Sequence, residues 1–330
     1  MTIAVVILNW NGRALLEQFL PSVVKYSSEA NVYVADNAST DDSVRYVMNN
    51  FPSVKIIQNK ENGGYARGYN QALSTLAEDI FVLLNSDVEV TDGWLTPVVS
   101  VFREDPKVVA AQPKILDYKD RSKFEYAGAA GGFIDSLGYP YCRGRIFQSI
   151  ETDHGQYNDI IPVFWATGAC LFVRRSSFQK ARGFDEDFFA HQEEIDLCWR
   201  LQAAGGTVKY VGSSSVYHVG GATLEVSHPT KTFYNFRNSL LMLLKNVKGP
   251  KVYGLIFLRL ILDAVAGLHF LIKGKFRHFL AILKAHFSFY GLFPRFLKKR
   301  KKHATTLDYS KIKSVVWRYF ILKKRNFNEL

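Results

Sequence analysis

Hydrophobic and polar positions alternate in blocks along the first 112 residues, and this pattern predicts strands and helices in turn. Short runs of apolar residues typical of buried strands occur at Ile3–Leu8, Val32–Ala35, Val54–Ile57, Ile80–Leu84 and Val108–Gln112. Helical spacing lies between them, at Ala14–Tyr26, Asp42–Asn50, Ala66–Ala77 and Trp94–Glu104. This order predicts an α/β fold with a mostly parallel sheet flanked by helices.

The pattern weakens over residues 115–165, which predicts long loops and short strands that cover the sheet edge. Three elements are predicted beyond it: a turn and strand over Trp165–Val173, a helix containing Ile195, Trp199 and Gln202, and a strand over Val208–Val211. The pair Gly205-Gly206 is expected to end that helix.

The last hundred residues change character. Helical spacing runs over Phe233–Lys245, and Tyr253–Ile272 is nearly all apolar. Because Arg259 and Asp263 are four residues apart, they can pair on one face of a helix. These charges favour a helix that packs on the protein or lies on a membrane over one that spans it.

Composition narrows the class of protein. With 330 residues, of which 48% are hydrophobic, the chain can bury a large core, which excludes disorder and fibrous repeats. Three cysteines cannot form a disulfide framework, which favours a reducing compartment. The N-terminus has no basic region before its short apolar run, so we expect a buried strand there rather than a signal peptide.

Charge divides the chain into an acidic body and a basic tail. Residues 1–230 carry 20 basic and 27 acidic side chains, a net charge of −7, whereas residues 231–330 carry 22 and 3, a net charge of +19. The basic cluster Lys298–Lys302 lies near several aromatic residues, which favours adhesion to anionic lipid over a merely solvated charge run. No recognised nucleic-acid motif accompanies it, so nucleic acid is not an expected partner. We predict one globular domain over 1–230, with halves 1–112 and 113–230, and a basic amphipathic helical tail over 231–330.

Polar residues follow four of the predicted strands, at Asn9–Gly12, Asp36–Asp42, Asn59–Gly64 and Asn85–Glu89. Ordinary turn chemistry explains any one of these loops. Because ligands bind beyond the carboxyl ends of parallel strands, four such loops at one sheet edge favour a binding site.

These loops carry groups suited to a nucleotide. Asp87, with Glu89 nearby, can hold a divalent cation that bridges phosphates. Asp36 can accept a hydrogen bond from a base, and Arg67, beside the close approach allowed by Gly63-Gly64, can meet phosphate.

Further along, two features have both a structural and a functional interpretation. The acids Glu193, Glu194 and Asp196 open a helix, where they either stabilise its N-terminus or include a general base. His218 is either a structural histidine or a metal ligand.

Taken in order, the motifs resemble glycosyltransferase family two, inverting enzymes with the GT-A fold, and most closely its rhamnosyltransferase-like subgroup of surface-polysaccharide synthesis. The first blocks that carry the resemblance are Val6–Gly12, Asp36–Asp41, Asn62–Asn70 and Leu84–Asp87. A second set is Thr167–Ala169, Gly183–Glu186, Glu193–Asp196 and His218.

The resemblance implies a role for each matching position. Donor nucleotide binding falls to Asn9, Asn11, Asp36, Asn37, Ser39, Gly63, Gly64, Arg67, Asn85 and Ser86. A divalent metal, Mg²⁺ or Mn²⁺, falls to Asp87 and His218. Glu194 is the implied catalytic base, with Glu193 or Asp196 able to share the role, and the acceptor side falls to Trp165, Thr167 and Gly168.

Two positions depart from the family pattern. Asn85 replaces the first Asp of the Asp-x-Asp motif and brings no charge, which weakens the expected hold on a metal. Glu194 stands where the family usually has Asp, and its side chain is longer than that of Asp by one methylene.

The resulting prediction is an inverting transferase that moves one sugar from a UDP- or dTDP-linked donor, such as dTDP-rhamnose, to a glycan or lipid-linked acceptor. We expect it at the inner face of the cell membrane, as a peripheral cytoplasmic protein. Two alternatives remain at this point: a non-catalytic carbohydrate- or membrane-binding module, and a sugar nucleotidyltransferase of related fold.

Overall fold

The computed structural model describes residues 1–220 and 228–330. Gly221, which closes the glycine pair after His218, lies outside the described residues.

The described strands and helices follow the predicted order in the first half. The strands are β1 (Ile3–Asn9), β2 (Asn31–Asp36), β3 (Lys55–Gln58), β4 (Ile80–Asn85), β5 (Val88–Val90), β6 (Val108–Asp117), β7 (Gly132–Ile134), β8 (Pro140–Cys142), β9 (Arg145–Ile146), β10 (Ser149–Ile150), β11 (Ile160–Val163), β12 (Cys170–Arg174) and β13 (Thr207–His218). The helices are α1 (Arg13–Lys25), α2 (Ser43–Asn50), α3 (Gly64–Leu73), α4 (Leu95–Glu104), α5 (Arg175–Lys180), α6 (Glu193–Ala203), α7 (Pro229–Asn246), α8 (Lys251–Ile272) and α9 (Phe276–His303).

The central sheet has the order β11-β13-β6-β12-β4-β1-β2-β3, with β5 paired to β13. Side chains alternate along β1: Ala4 and Val6 face one core with α3 and α6, whereas Val5 and Ile7 face the other with α1, α2 and α4. Burial on both faces explains why β1 is a continuous apolar run rather than an alternating one.

The sheet is parallel only in part. β3, β2, β1 and β4 run parallel, as the strand–helix alternation predicts, but β12 lies antiparallel between β4 and β6. β12 follows the long middle segment rather than a single crossover helix, so its direction is not constrained to be parallel. The sheet is therefore mixed, which the sequence pattern did not predict for its centre.

The last strand of the sheet is longer than predicted. β13 continues past Val211 to His218, with a register shift between Val211 and Ser215. This irregularity breaks the apolar alternation and hides the second half of the strand from the sequence pattern. His218 therefore ends the strand that the sequence pattern predicted only as far as Val211.

The middle segment forms a small antiparallel sheet of β7 to β10, in agreement with the short strands expected there. The helix predicted around Ile195 is α6, and Gly205, with φ of +91°, follows its end.

The C-terminal helices share a core with the sheet. Leu240 to Leu244 of α7 and Phe289 and Phe296 of α9 are fully buried in the same cluster as Ala4 and Val6. The boundary at residue 230 therefore marks a change of charge, while the packing continues across it.

Candidate active site

The ends of β1 and β2 bring together one group of predicted donor residues. Asn9 and Asp36 are register neighbours, and the Asn9 amide donates to Asp36 Oδ1 at 3.0 Å. The other carboxylate oxygen accepts from the Ser39 backbone N–H at 3.0 Å. Asn11, with φ of +50°, accepts from the Thr40 N–H through its side-chain oxygen at 2.7 Å. The two loops are thus held together around a buried carboxylate.

A second group lies at the start of α3. Asn37 donates to the Gly64 carbonyl at 3.0 Å, and Gly64 has φ of +70° after Gly63. A Cβ at Gly64 would lie 2.7 Å from the ring of Phe189. We expected the glycine to let a ligand approach the backbone. In the structure the group that lies against Gly64 is the ring of Phe189.

Arg67, the predicted phosphate ligand, lies one turn into α3. Its half-exposed guanidinium bonds to Glu61 at 2.7 Å and lies 4.0 Å from Glu186. A diphosphate would have to compete with these carboxylates for the guanidinium.

The predicted metal ligands meet across the sheet. Asp87 follows β4, His218 ends β13, and the His218 Nε2 lies 3.1 Å from Asp87 Oδ1 and 3.4 Å from the Asn85 amide. Ser86 lies in the turn between Asn85 and Asp87. Burial works against ionisation of Asp87, but His218 outweighs it and holds the pKa of that carboxyl below its usual value.

Glu125 is a further member of this cluster that sequence reasoning missed. Its carboxylate lies 3.4 Å from His218 Nδ1 and accepts from the Ala127 N–H at 2.5 Å. Burial alone would lower the pKa of His218, but Glu125 and Asp87 outweigh burial and raise this pKa to about 10. By contrast Glu89, the expected companion of Asp87, pairs with Arg121 at 2.7 Å.

The donor set fits a divalent ion that also binds substrate. A carboxylate and an imidazole suit Mn²⁺, and a carboxylate on the second ring nitrogen is the usual partner of a metal-bound histidine. Within residues 1–220 and 228–330, no three His, Cys, Asp or Glu side chains are grouped to hold a metal ion. An ion between Asp87 and His218 would therefore need phosphate oxygens or water to complete its shell.

Glu193 and Glu194 lie in the first turn of α6 and are the acids most suited to proton transfer. Each has a buried carboxylate oxygen, Oε2, without a hydrogen-bond partner. Burial raises the pKa of Glu194 to about 7, and burial with the charge of Glu194 raises the pKa of Glu193 well above its usual range. A pKa near the working pH is what a general base requires.

Asp196, the third candidate base, has a different environment. It is fully buried, pairs with Arg200 and Lys245 at 2.8 Å, and accepts from the Asn246 amide at 2.8 Å. Burial would raise its pKa, but Lys245 and Arg200 outweigh burial and keep that pKa well below its usual value. Its two carboxylate oxygens accept hydrogen bonds from α7, so they are not free to take a proton from an acceptor. Glu193 and Glu194 remain as candidates for the general base.

The three residues predicted to bind the acceptor do not share one environment. Trp165 is buried against Gly132 and donates to the Phe133 carbonyl at 2.9 Å, and Thr167 is buried beside the Gln112 side chain. These two residues are packed inside the protein rather than lining a surface.

Gly168 occupies a different position, because its carbonyl accepts from the Tyr65 hydroxyl at 2.8 Å. Burial, then the neighbouring Tyr69, then the charges of Glu193 and Glu194 raise the pKa of Tyr65 well above its usual value. Tyr65 therefore binds Gly168 and lies within electrostatic range of the two glutamates.

Comparisons with known proteins identify the family and the fold of the chain. The sequence model of glycosyl transferase family 2 matches residues 4–182. The chain is 30% identical over 220 residues to N-acetylglucosaminyl-diphospho-decaprenol L-rhamnosyltransferase of Mycobacterium tuberculosis, covering 62% of this chain and 71% of the relative.

Two solved structures share the fold. GalNAc-T7 with UDP, GalNAc and Mn²⁺ matches with a TM-score of 0.58 and 16% identity, over 76% of this chain and 49% of that one. The mannosyltransferase PcManGT from Pyrobaculum calidifontis, with GDP-Man and Mn²⁺, matches with a TM-score of 0.51 and 14% identity, over 91% and 86%. The chain thus spans about half the length of the first of these structures.

The family model covers more than half of the chain, and the fold agrees with it. The chain belongs to glycosyl transferase family 2 and is a glycosyltransferase.

Proposed function

We propose that this glycosyltransferase moves one sugar, with inversion, from a uracil- or thymine-containing nucleoside-diphosphate donor to a hydroxyl of a glycan or lipid-linked glycan. The observation that carries the proposal is the Glu193–Glu194 pair, in which one buried carboxylate oxygen of each residue has no hydrogen-bond partner and both pKa values are raised, as proton transfer requires. The matched relative is named for L-rhamnosyl transfer to a decaprenol-diphosphate-linked acceptor, which supports dTDP-rhamnose and a role in cell-surface polysaccharide synthesis.

The donor would lie along the ends of β1, β2 and β4. Asp36 accepts the ring N–H of uracil or thymine, while Asn9 and Ser39 keep its carboxylate oriented. Asp87 and His218 would hold a divalent ion, which lowers the charge on the departing nucleoside diphosphate.

Glu194 acts on the acceptor. Its carboxylate takes the proton of the acceptor hydroxyl, whose oxygen forms a bond to the anomeric carbon while the bond from that carbon to the diphosphate oxygen breaks. One displacement inverts the anomeric centre, through a transition state of oxocarbenium character. The electron pair of the broken bond leaves with the nucleoside diphosphate.

The proposed location is the inner face of the membrane, and α8 and α9 supply the surface for it. Twelve exposed large apolar side chains lie along the two helices: Tyr253, Phe257, Leu258, Ile261, Val265, Leu268 and Ile272 on α8, and Phe276, Leu280, Leu283, Phe287 and Tyr290 on α9. We call these residues the apolar face. It belongs to the part of the chain with a net charge of +19, which complements anionic lipid.

Contacts of the opposite side of α8 support a helix in the plane of the membrane. Among the described residues α8 is long and apolar enough to cross a bilayer. Yet Arg259 is buried and donates to Ser239 of α7 at 2.8 Å, and the buried Asp263 lies 3.2 Å from His286 of α9. Spanning would expose both charges to lipid, whereas lying flat keeps them in the protein.

Thermal unfolding with UDP, dTDP, GDP and ADP, each with and without Mn²⁺, tests the donor assignment. A ligand at about 100 times its dissociation constant adds about 2.7 kcal/mol to the free energy of unfolding. We expect a shift with UDP or dTDP that grows with Mn²⁺. A shift of equal size without metal would remove Asp87 and His218 from metal binding, and no shift with any nucleotide would contradict the proposal.

A further inference from the structure

The segment that leads into the candidate base has an unusual backbone. Phe189, His191 and Gln192 have φ of +65°, +68° and +74°, in the left-handed region that disfavours residues with a Cβ. Gln192 directly precedes Glu193 and Glu194 at the start of α6. Such strain persists only where surrounding contacts fix the conformation.

Asn238 of α7 supplies contacts of that kind. Its fully buried side-chain nitrogen lies within hydrogen-bond distance of the carbonyls of Phe188 at 3.0 Å, Ala190 at 2.9 Å and His191 at 2.7 Å, which share its two N–H donors. One side chain thus binds three carbonyls of the strained segment.

Arg237, the preceding residue, fixes the orientation of this amide. Its Nε donates to Asn238 Oδ1 at 2.8 Å, which turns the amide nitrogen toward the segment. Its Nη2 donates to the carbonyls of Asp187 and Phe188, both at 3.0 Å. The two side chains together bond to four carbonyls between residues 187 and 191.

The donor side of the site holds the same segment from the other direction. The N–H groups of Tyr65 and Ala66, in the first turn of α3, donate to the Phe189 carbonyl at 3.0 and 3.2 Å. The segment therefore lies between the start of α3 and the side chains of α7.

We propose that Asn238 and Arg237 are positioning residues, which hold the segment 187–191 so that the first turn of α6 presents Glu194 to the acceptor. Both side chains bind backbone carbonyls of the segment and so act through the backbone before the base. This inference rests on the proposed function, because it takes Glu194 as the base.

Asn238→Ala is the first test, measured by sugar transfer with wild-type protein in parallel. We expect kcat to fall by about 10- to 100-fold, as for a displaced catalytic group, with the KM for donor changed by less than about threefold. Absence of transfer by the wild-type protein with any donor would count against the proposed function, independently of the variant.

The acid limb of the pH–rate profile separates positioning from simple loss of fold. The titratable groups that interact electrostatically with Glu194 are Glu193 and Cys198 on its own helix, Tyr65 of α3 and Cys142 of β8. A loosened segment admits water to Glu194, so we expect the acid limb to move to lower pH by about one unit or more. A smaller folded fraction lowers the rate at every pH without moving the limb.

Leu241→Ala is the matched control, since Leu241 is also fully buried on α7 and has an apolar side chain. This variant should lower the melting temperature. The position of the acid limb of the pH–rate profile and the rate per folded molecule should stay unchanged. The proposal is overturned if Asn238→Ala behaves in the same way. If Asn238→Ala does not fold, Arg237→Lys, which loses the paired donors but keeps the charge, takes its place under the same criteria.

Discussion

At the residue scale, Glu194, the proposed base, carries a cost to stability. Its raised pKa, about 7, means that the folded state binds the proton more tightly than the unfolded state does. The free energy of unfolding therefore falls as pH rises from about 4.5 to about 7, and the loss is complete above that range.

Glu194→Gln should remove this loss, because glutamine carries no charge at any pH. We expect it to stabilise the protein by about 1–3 kcal/mol at pH 8 and by almost nothing near pH 4, since one pKa unit is worth about 1.4 kcal/mol. Urea unfolding at both pH values measures this, with the exposed Glu29→Gln as control. Equal stability of Glu194→Gln and wild type at pH 8 would show that Glu194 is not desolvated.

Glu125 provides a second test at this scale. If its carboxylate orients His218 for a metal, Glu125→Gln should weaken Mn²⁺ binding in the presence of UDP by about 10- to 100-fold. Calorimetry measures this, and UDP affinity without metal should not change. Glu89→Gln is the control, because Glu89 pairs with Arg121; an equal effect of the two variants would contradict the role of Glu125.

Sequence reasoning reached some of these residues and not others for a physical reason. Asp36 and Asp87 follow apolar strands, so strand polarity alone places them at one sheet edge. Glu125 lies in the weakly periodic middle segment, and Asn238 lies on a helix more than 40 residues after the segment that it binds. Their roles depend on contacts distant along the chain, which no local pattern shows.

At the element scale, the apolar face allows a test of the proposed contact with the membrane. Phe257→Glu with Val265→Glu places two charges on exposed positions of α8, away from the buried Arg259 and Asp263. We expect binding to vesicles that contain anionic lipid to fall at least about tenfold, because burying each charge in lipid is costly.

Flotation with vesicles measures that binding, and Met48→Glu is the control, since Met48 is exposed on α2. Wild-type protein should leave native membranes in alkaline carbonate, as a surface-bound helix does. Protein released only by detergent would show that α8 spans the bilayer, and full binding by the double variant would show that the apolar face does not meet lipid.

At the scale of the whole molecule, the parallel half of the sheet could be predicted and its antiparallel centre could not. The run β1 to β4 alternates with α1 to α3, so each crossover fixes the direction of the next strand. β12 and β13 are joined to the rest by long segments, and their places depend on tertiary packing. The place of α7 also depends on tertiary packing. It belongs to the basic part of the sequence that we predicted as a separate tail, but its buried residues complete the core.

The central claim is that one site has two parts. The ends of the parallel strands bind the donor, and the first turn of α6 activates the acceptor. Transfer from UDP- and dTDP-sugars to a lipid-linked acceptor, measured for wild type, Glu194→Gln and Glu193→Gln together with UDP and dTDP affinity, tests that claim most directly. We predict that Glu194→Gln lowers transfer by about 10²- to 10⁴-fold while the nucleotide affinity stays within about threefold of wild type. Near-normal transfer by Glu194→Gln would contradict the account.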